Sequence, residues 1–316
     1  MILKKQIFMN IDSFNLAAID VGSNAARLLI KHINVDDDGN AEAVKLLFLR
    51  IPLRLGMDVF ADGRISEERK REFVATMKAY RQLMKVYSVS DYRACATSAM
   101  RDAKNGKDII RKIKDKAHIK LDIITGSEES RIIYDNHLSI ISSEGSYLYV
   151  DVGGGSTELS FICDGERLYS HSFNIGTIRL LKNKVKREDI IKMKSEINQI
   201  TVGREDIKII GSGGNINKLY RLASKKSTLD YLPVDTLQEE YDTLSRLSVE
   251  ERMAKYGLKP DRADVIVPAA EIFLHIAAGA HAKKILVPNL GLADGIINEM
   301  MHKKLQHHCN INEKCV

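Results

Sequence analysis

Tyr147-Leu148-Tyr149-Val150-Asp151-Val152-Gly153-Gly154-Gly155-Ser156-Thr157 is an apolar strand that ends in an Asp and breaks into a glycine turn. A second apolar run follows from Glu158 to Cys163, then the Asp164-Gly165 turn, then Leu168 to Phe173. The chain opens in the same way. Leu16 to Asp20 runs into Val21-Gly22-Ser23-Asn24. Arg27 to Ile33 and Ala43 to Leu49 follow as strands, separated by Asp36-Asp37-Asp38-Gly39-Asn40. Each Asp-Val-Gly ends a buried strand and opens a hairpin. The matching contexts predict an internal duplication, with two related halves facing a shared cleft.

Between the two copies, strands alternate with helices. A helix starts at Ser66, with Glu67 and Glu68 in its first turn, where the helix dipole favours acids. Phe73, Met77, Tyr80 and Met84 recur at helical spacing and predict its buried stripe. Arg93 to Thr97 reads as a strand, Asp108 to Lys116 as a helix and Leu121 to Ile124 as a strand. A further helix runs from Ser127 through Ile132, Ile133 and Leu138. This alternation predicts an α/β protein. No Pro- or Ser-rich linker divides it. The boundary is placed at Ser127, giving domain I over 1–127, completed by a C-terminal helix over 293–316, and domain II over 128–292.

A length of 316 residues fits two domains. With 44% apolar and 28% charged residues, disorder and fibrous repeats are excluded. Lys and Arg exceed Asp and Glu by 48 to 42, a net charge of +6. That balance suits an anionic substrate and falls short of a nucleic-acid-binding arm. The four cysteines form no C-x-x-C pair, which excludes a zinc ribbon or a thioredoxin-type site and fits a reducing compartment. No apolar run reaches the roughly 18 residues of a membrane span. Met1-Ile2-Leu3-Lys4-Lys5 lacks the apolar core of a signal peptide. The expectation is a soluble cytoplasmic protein without membrane or nucleic-acid partners.

Three glycine-rich loops follow apolar strands and predict a phosphate site: Gly22-Ser23-Asn24, Gly153-Gly154-Gly155-Ser156 and Gly211-Ser212-Gly213-Gly214. Glycine lets backbone N–H groups approach an anion. The third loop precedes a predicted helix from Asn215 to Ala223, whose N-terminus adds its dipole. Neither G-x-G-x-x-G nor a Walker A motif occurs, which sets aside dinucleotide-binding and P-loop readings. Asp20 and Asp151 sit where strand ends deliver them to the cleft. Paired carboxylates there suit Mg²⁺, and each Asp could equally cap its own turn.

Glu128 and Glu129 read first as an acidic helical turn under Ser127 as cap. The alternative sends one of them into the cleft to activate water, its pKa raised by phosphates and apolar walls. Arg101, just past a strand end, can fork onto a phosphate or form a surface ion pair with Asp102 or another acid. Arg179 is a further candidate, and Arg27 is read as pointing away along its strand. Lys112, Lys114, Lys116, Lys120, Lys182, Lys184 and Lys186 form either a polyanion path or solvated faces. His307, His308, Cys309 and Cys315 match no standard metal spacing and receive no role.

Taken together, Ala18 to Asn24, Ala96 to Asn105, Gly126 to Arg131 and Asp151 to Leu159 resemble the Ppx/GppA phosphatase family. Ile175 to Leu180, Gly211 to Gly214, Arg262 to Val267 and Asp294 to Ile296 extend the resemblance over most of the chain. It implies a two-domain actin/Hsp70-like ATPase (ribonuclease H-like) fold with an interdomain phosphate cleft. It also implies an exopolyphosphatase that removes the terminal phosphate of inorganic polyphosphate, with guanosine pentaphosphate as the alternative substrate. Glu129 becomes the catalytic base, which reverses the capping reading. Asp151 and Glu158 become metal-side acids, with Asp20 beside them, and Arg101 offsets transition-state charge. A Mg²⁺ cofactor and a homodimer are implied as well. Ala25, Asn215, Ala269 and Ala293 depart from the family pattern at positions that bear on substrate contacts. A non-catalytic alarmone sensor and an actin-like or sugar-kinase ATPase are the competing readings.

Overall fold

Leu16, Ala17, Ala18 and Ile19 are fully buried because β1 (Phe14–Val21) is the middle strand of a five-stranded sheet. The computed structural model describes residues 13–36, 40–137, 144–224 and 229–313, with side chains as far as residue 306. Strands β2 (Ala26–Val35) and β3 (Ala41–Ile51) extend one side of β1 as an antiparallel meander. Helices α1 (Leu55–Asp62) and α2 (Glu67–Val86) follow. Next come β4 (Val89–Ala96), α3 (Ser98–Asp102), α4 (Gly106–Ala117), β5 (Asp122–Ile123) and α5 (Gly126–His137). Strands β4 and β5 pair parallel on the other side of β1, so the order is β3-β2-β1-β4-β5.

The second half repeats this plan. It comprises β6 (Ser146–Val152), β7 (Thr157–Cys163), β8 (Glu166–Phe173), α6 (Thr177–Leu181), α7 (Arg187–Thr201), β9 (Lys208–Ser212) and α8 (Gly214–Ala223). Then follow β10 (Tyr231–Pro233), α9 (Val234–Ser245), α10 (Val249–Tyr256), α11 (Pro260–Ala263), α12 (Ile266–Gly279), β11 (Lys284–Leu286) and α13 (Leu292–Glu313). The sheet order is β10-β11-β9-β6-β7-β8. Apart from the added β10, each strand has its counterpart in the first sheet. The hairpin turns match as well: Gly22 N–H donates to Ala25 O at 3.0 Å, and Gly153 N–H to Ser156 O at 2.9 Å. The duplication expected from the two Asp-Val-Gly runs is present in topology and turn geometry.

Helices α5 and α13 lie between the two sheets. Ile132 and Ile133 of α5 and Ile296 and Ile297 of α13 share one core with Leu16 and Leu29 of the first sheet and Tyr149 and Ile210 of the second. Helices α2 and α4 cover the outer face of the first sheet, and α7, α8, α9 and α12 that of the second. Ser66 Oγ accepts the Arg69 N–H at 3.3 Å at the start of α2, and the predicted stripe of Phe73, Met77, Tyr80 and Met84 is buried. Strand β5 is shorter than predicted. Leu121 and Ile124 turn into the cores, and only Asp122 and Ile123 pair with β4. Helix α1 had no sequence signal. It follows Arg54, which holds a left-handed φ of 51°. Leu138 and the side chains of His307, His308, Cys309 and Cys315 lie outside the described residues. Among the described residues, no helix is long and apolar enough to cross a membrane.

Candidate active site

A cavity of about 170 Å³ opens where the two halves meet. Gly22, Ser23 and Asn24 line one wall, and Gly153, Gly154 and Ser156 the facing one. Ser212, Gly213 and Gly214 close it at the end of β9. Gly213 sits at φ 105°, and a Cβ there would stand 3.0 Å from Asp151 Oδ1, so only glycine fits. Two predicted phosphate-binding glycines do not line the cavity. Gly155 packs against Phe60 and Ser98, and Gly211 against Ile216 and Ile285. Sequence cannot distinguish a glycine kept for an anion from one kept for packing. The N–H groups of Gly22 and Gly153 close their own turns, so neither is available to an anion.

The duplicated hairpins present opposite chemistries at equivalent positions. In the first half, Asp20 lies opposite Arg27, and Arg27 opposite Arg50, across β1, β2 and β3. In the second, Asp151 lies opposite Glu158, and Glu158 opposite Ser172, across β6, β7 and β8. Like charges directly opposite on a sheet repel. In the first row Asp20 pairs with Arg27, and Asp261 with Arg50, whereas the second holds two acids with no cation in the row and calls for protons or a cation beside them.

The acids respond accordingly. Burial, then the charge of Glu158, pushes Asp151 up to about 7, against the pull of Arg27. Burial also raises Glu158, whose Oε1 accepts from Ser172 Oγ at 2.9 Å. Glu129 is buried and lifted well above the ordinary carboxylate range, first by desolvation and then by Glu158. Arg101 opposes that lift: its Nη1 donates to Glu129 Oε2 at 3.1 Å and to Ile124 O at 2.9 Å. Asp20 lines the cavity beside Asp151, with a cation already at its carboxylate. Arg27 points into the cleft rather than along its strand, and its guanidinium already pairs with Asp20.

Two local readings are corrected. Thr125, not Ser127, caps α5, since Thr125 Oγ1 accepts the Glu128 N–H at 3.1 Å. Arg101 does pair with an acid, but that acid is Glu129, and Asp102 pairs with Arg179 instead. Arg179 Nε also donates to Gly155 O at 2.6 Å, so Arg179 joins the halves rather than facing the cavity. None of the predicted lysines lines the cavity. Lys114 and Lys120 instead edge a separate surface pocket with Tyr92 and His118.

The cations that do line the cavity are Arg27, Arg50 and Arg262. Burial, together with repulsion from Arg50 and Arg27, pushes Arg262 down to about 10. Arg50 Nη2 lies 2.6 Å from Asp261 Oδ2 across the cleft, and Arg54 pairs with Asp264 beside it. Sequence reading missed this arginine cluster at the cavity. Arg262 was visible only as one member of a motif. Arg50 carried no signal, because its place depends on pairing with Arg27 across a hairpin.

A sequence model of the Ppx/GppA phosphatase family matches residues 44–304. The chain belongs to this family. Its relatives include the bifunctional 3-dehydroquinate synthase/phosphatase of Fusobacterium nucleatum, 30% identical over 84% of this chain and 43% of that protein. The chain thus spans less than half of that relative. Exopolyphosphatase 2 of Mycobacterium tuberculosis is 27% identical over 89% of this chain and 97% of its own length. Among solved structures, the Ppx/GppA family member of Aquifex aeolicus superposes with a TM-score of 0.73 at 26% identity, covering 93% of this chain and 99% of that one. The Ppx/GppA fold accounts for the two related sheets and the cleft between them.

Proposed function

We propose that this Ppx/GppA protein is an exopolyphosphatase that hydrolyses the terminal phosphate of inorganic polyphosphate by in-line attack of water. The observation that carries the reading is the pair of facing rows, Arg27 and Arg50 on one side and Asp151 and Glu158 on the other, with Glu129 at the same cavity. The arginines and Arg262 draw a polyanion into the cleft. The later N–H groups of the two hairpin turns hold the reacting phosphate. Glu129 accepts the proton of the attacking water, and Arg101 keeps its carboxylate oriented. Catalysis then rests mostly on positioning and electrostatics, as in other phosphoryl transfers.

Asp151 and Glu158 fit Mg²⁺, which takes one or two carboxylates and keeps several waters. Among the described residues, no group of three or more His, Cys, Asp or Glu side chains gathers into a fuller cage. Asp20, already paired with Arg27, is left out of the set. Bound there, the ion would offset charge on the phosphate oxygens.

A guanosine pentaphosphate is the second reading, favoured by two features. Phe48 is 52% exposed and lines the cavity with Arg50 and Leu290, where a base could stack. Asn24 Oδ1 is buried and accepts no hydrogen bond among the described residues, and polyphosphate offers it no donor group of its own. The test is phosphate release with Mg²⁺ from polyphosphate, guanosine pentaphosphate and ATP, using wild type and Phe48→Ala. The polyphosphate reading expects polyphosphate to have the highest kcat/KM, changed less than about twofold by Phe48→Ala. A preference for guanosine pentaphosphate that Phe48→Ala lowers about tenfold, as lost stacking would, supports the second reading. Release from none of the three overturns the hydrolase reading.

A further inference from the structure

We propose that Arg93 is a positioning residue for Glu129: by joining Glu128 to Glu299 it fixes the first turn of α5 against β4 and α13. Arg93 Nη2 lies 2.6 Å from Glu128 Oε1, and its Nη1 bonds Glu299 Oε2. Glu299 Oε1 accepts from Arg131 Nη2 at 3.2 Å, and from Lys303 one turn further along α13. Glu128 and Arg131 are three residues apart, on one face of α5. The network therefore leaves α5, crosses one arginine of β4 and one acid of α13, and returns to α5.

Two more contacts hold the same helix at the same height. A Cβ on Gly295 of α13 would stand 2.5 Å from Ile132 O, so the helices touch backbone to backbone. Asn298 Nδ2 donates to Asn136 Oδ1 a turn later. Glu128 and Glu129 are neighbours on α5 gripped from different sides, Glu128 by Arg93 and Glu129 by Arg101. Both arginines belong to the single stretch of β4 and α3. Arg93 does not line the cavity, so it acts on the chemistry only through the helix. A planar guanidinium can fork onto two carboxylates at fixed angles, which an ammonium cannot.

The inference rests on Glu129 as the base, and the experiment separates the two. Arg93→Met and Arg93→Lys are compared with wild type and with Glu129→Gln, measuring kcat and KM for phosphate release from long-chain polyphosphate and the thermal midpoint. Arg93→Met is expected to lower kcat by about 10²-fold, as a displaced catalytic group does, with KM within about twofold. Arg93→Lys should restore part of kcat. In the Glu129→Gln background, Arg93→Met should lower the residual rate no further. Full activity in Arg93→Met overturns the proposal, and so does an equal fall of kcat in both backgrounds. If Arg93→Met does not fold, Glu299→Gln replaces it under the same criteria. An active Glu129→Gln overturns the assignment of the base itself.

Discussion

Glu129→Gln should lower kcat for phosphate release by about 10³-fold and leave KM within about threefold, the loss expected when a positioned general base is removed. Gln keeps the shape and can still accept the Arg101 bond, so the fold and the phosphate cleft stay intact. The buried site supplies a second readout. Glu129 is raised by desolvation, Glu158 and Asp151 against the pull of Arg101, and it works as a base only when ionised. Wild-type kcat should therefore fall on acidification at a pH above the ordinary range of a glutamate. The acid limb of the residual activity of Glu129→Gln should differ from that of wild type, since Asp151 then titrates there without Glu129. A variant within tenfold of wild type would remove Glu129 from the chemistry.

Asp151→Asn should abolish activity and stabilise the metal-free protein at the same time. Asp151 titrates near 7 in the folded chain against 3.8 for an unperturbed carboxyl. The folded state thus keeps a proton that the unfolded chain gives up. Stability present below pH 4 is withdrawn as pH rises to about 7, on the order of 4 kcal/mol for three units. Asn carries no such charge beside Glu158. Without Mg²⁺ at pH 8, the variant should melt several degrees above wild type, and the gap should close toward pH 4. Adding Mg²⁺ should raise the midpoint of wild type and not that of the variant. A variant that melts below wild type at pH 8, or a Mg²⁺ shift that survives it, would reject the burial of Asp151 beside Glu158 as the source of its raised pKa and of the cation site.

The scaffold was legible because its signals are local. Asp20-Val21-Gly22 and Asp151-Val152-Gly153 each state a strand end and a turn, and their likeness was enough to read two halves and a cleft. The misread residues depend on register or packing. Arg27 was turned the wrong way because the Gly22 to Ala25 turn decides which strand residue lies opposite Asp20, and a shift of one residue reverses every side chain. Arg50 is placed by a third strand. Thr125 and Ser127 are both competent caps two residues apart, and the backbone selects Thr125. Gly155 and Gly211 answer to neighbours that arrive from elsewhere in the chain.

Helix α13 comes late in this sequence and sits between the two sheets. On the ribosome, Leu16 and Leu29 are synthesised early, yet the helix that shares their core comes some 280 residues later. At about 5–20 residues per second, that wait is roughly 15 to 60 s. Until α13 arrives, α5 alone covers the apolar faces that the two helices share, a target for chaperones and for aggregation. The first half cannot finish folding on emergence and wait for the second. The core between the two sheets is complete only once α13 joins it.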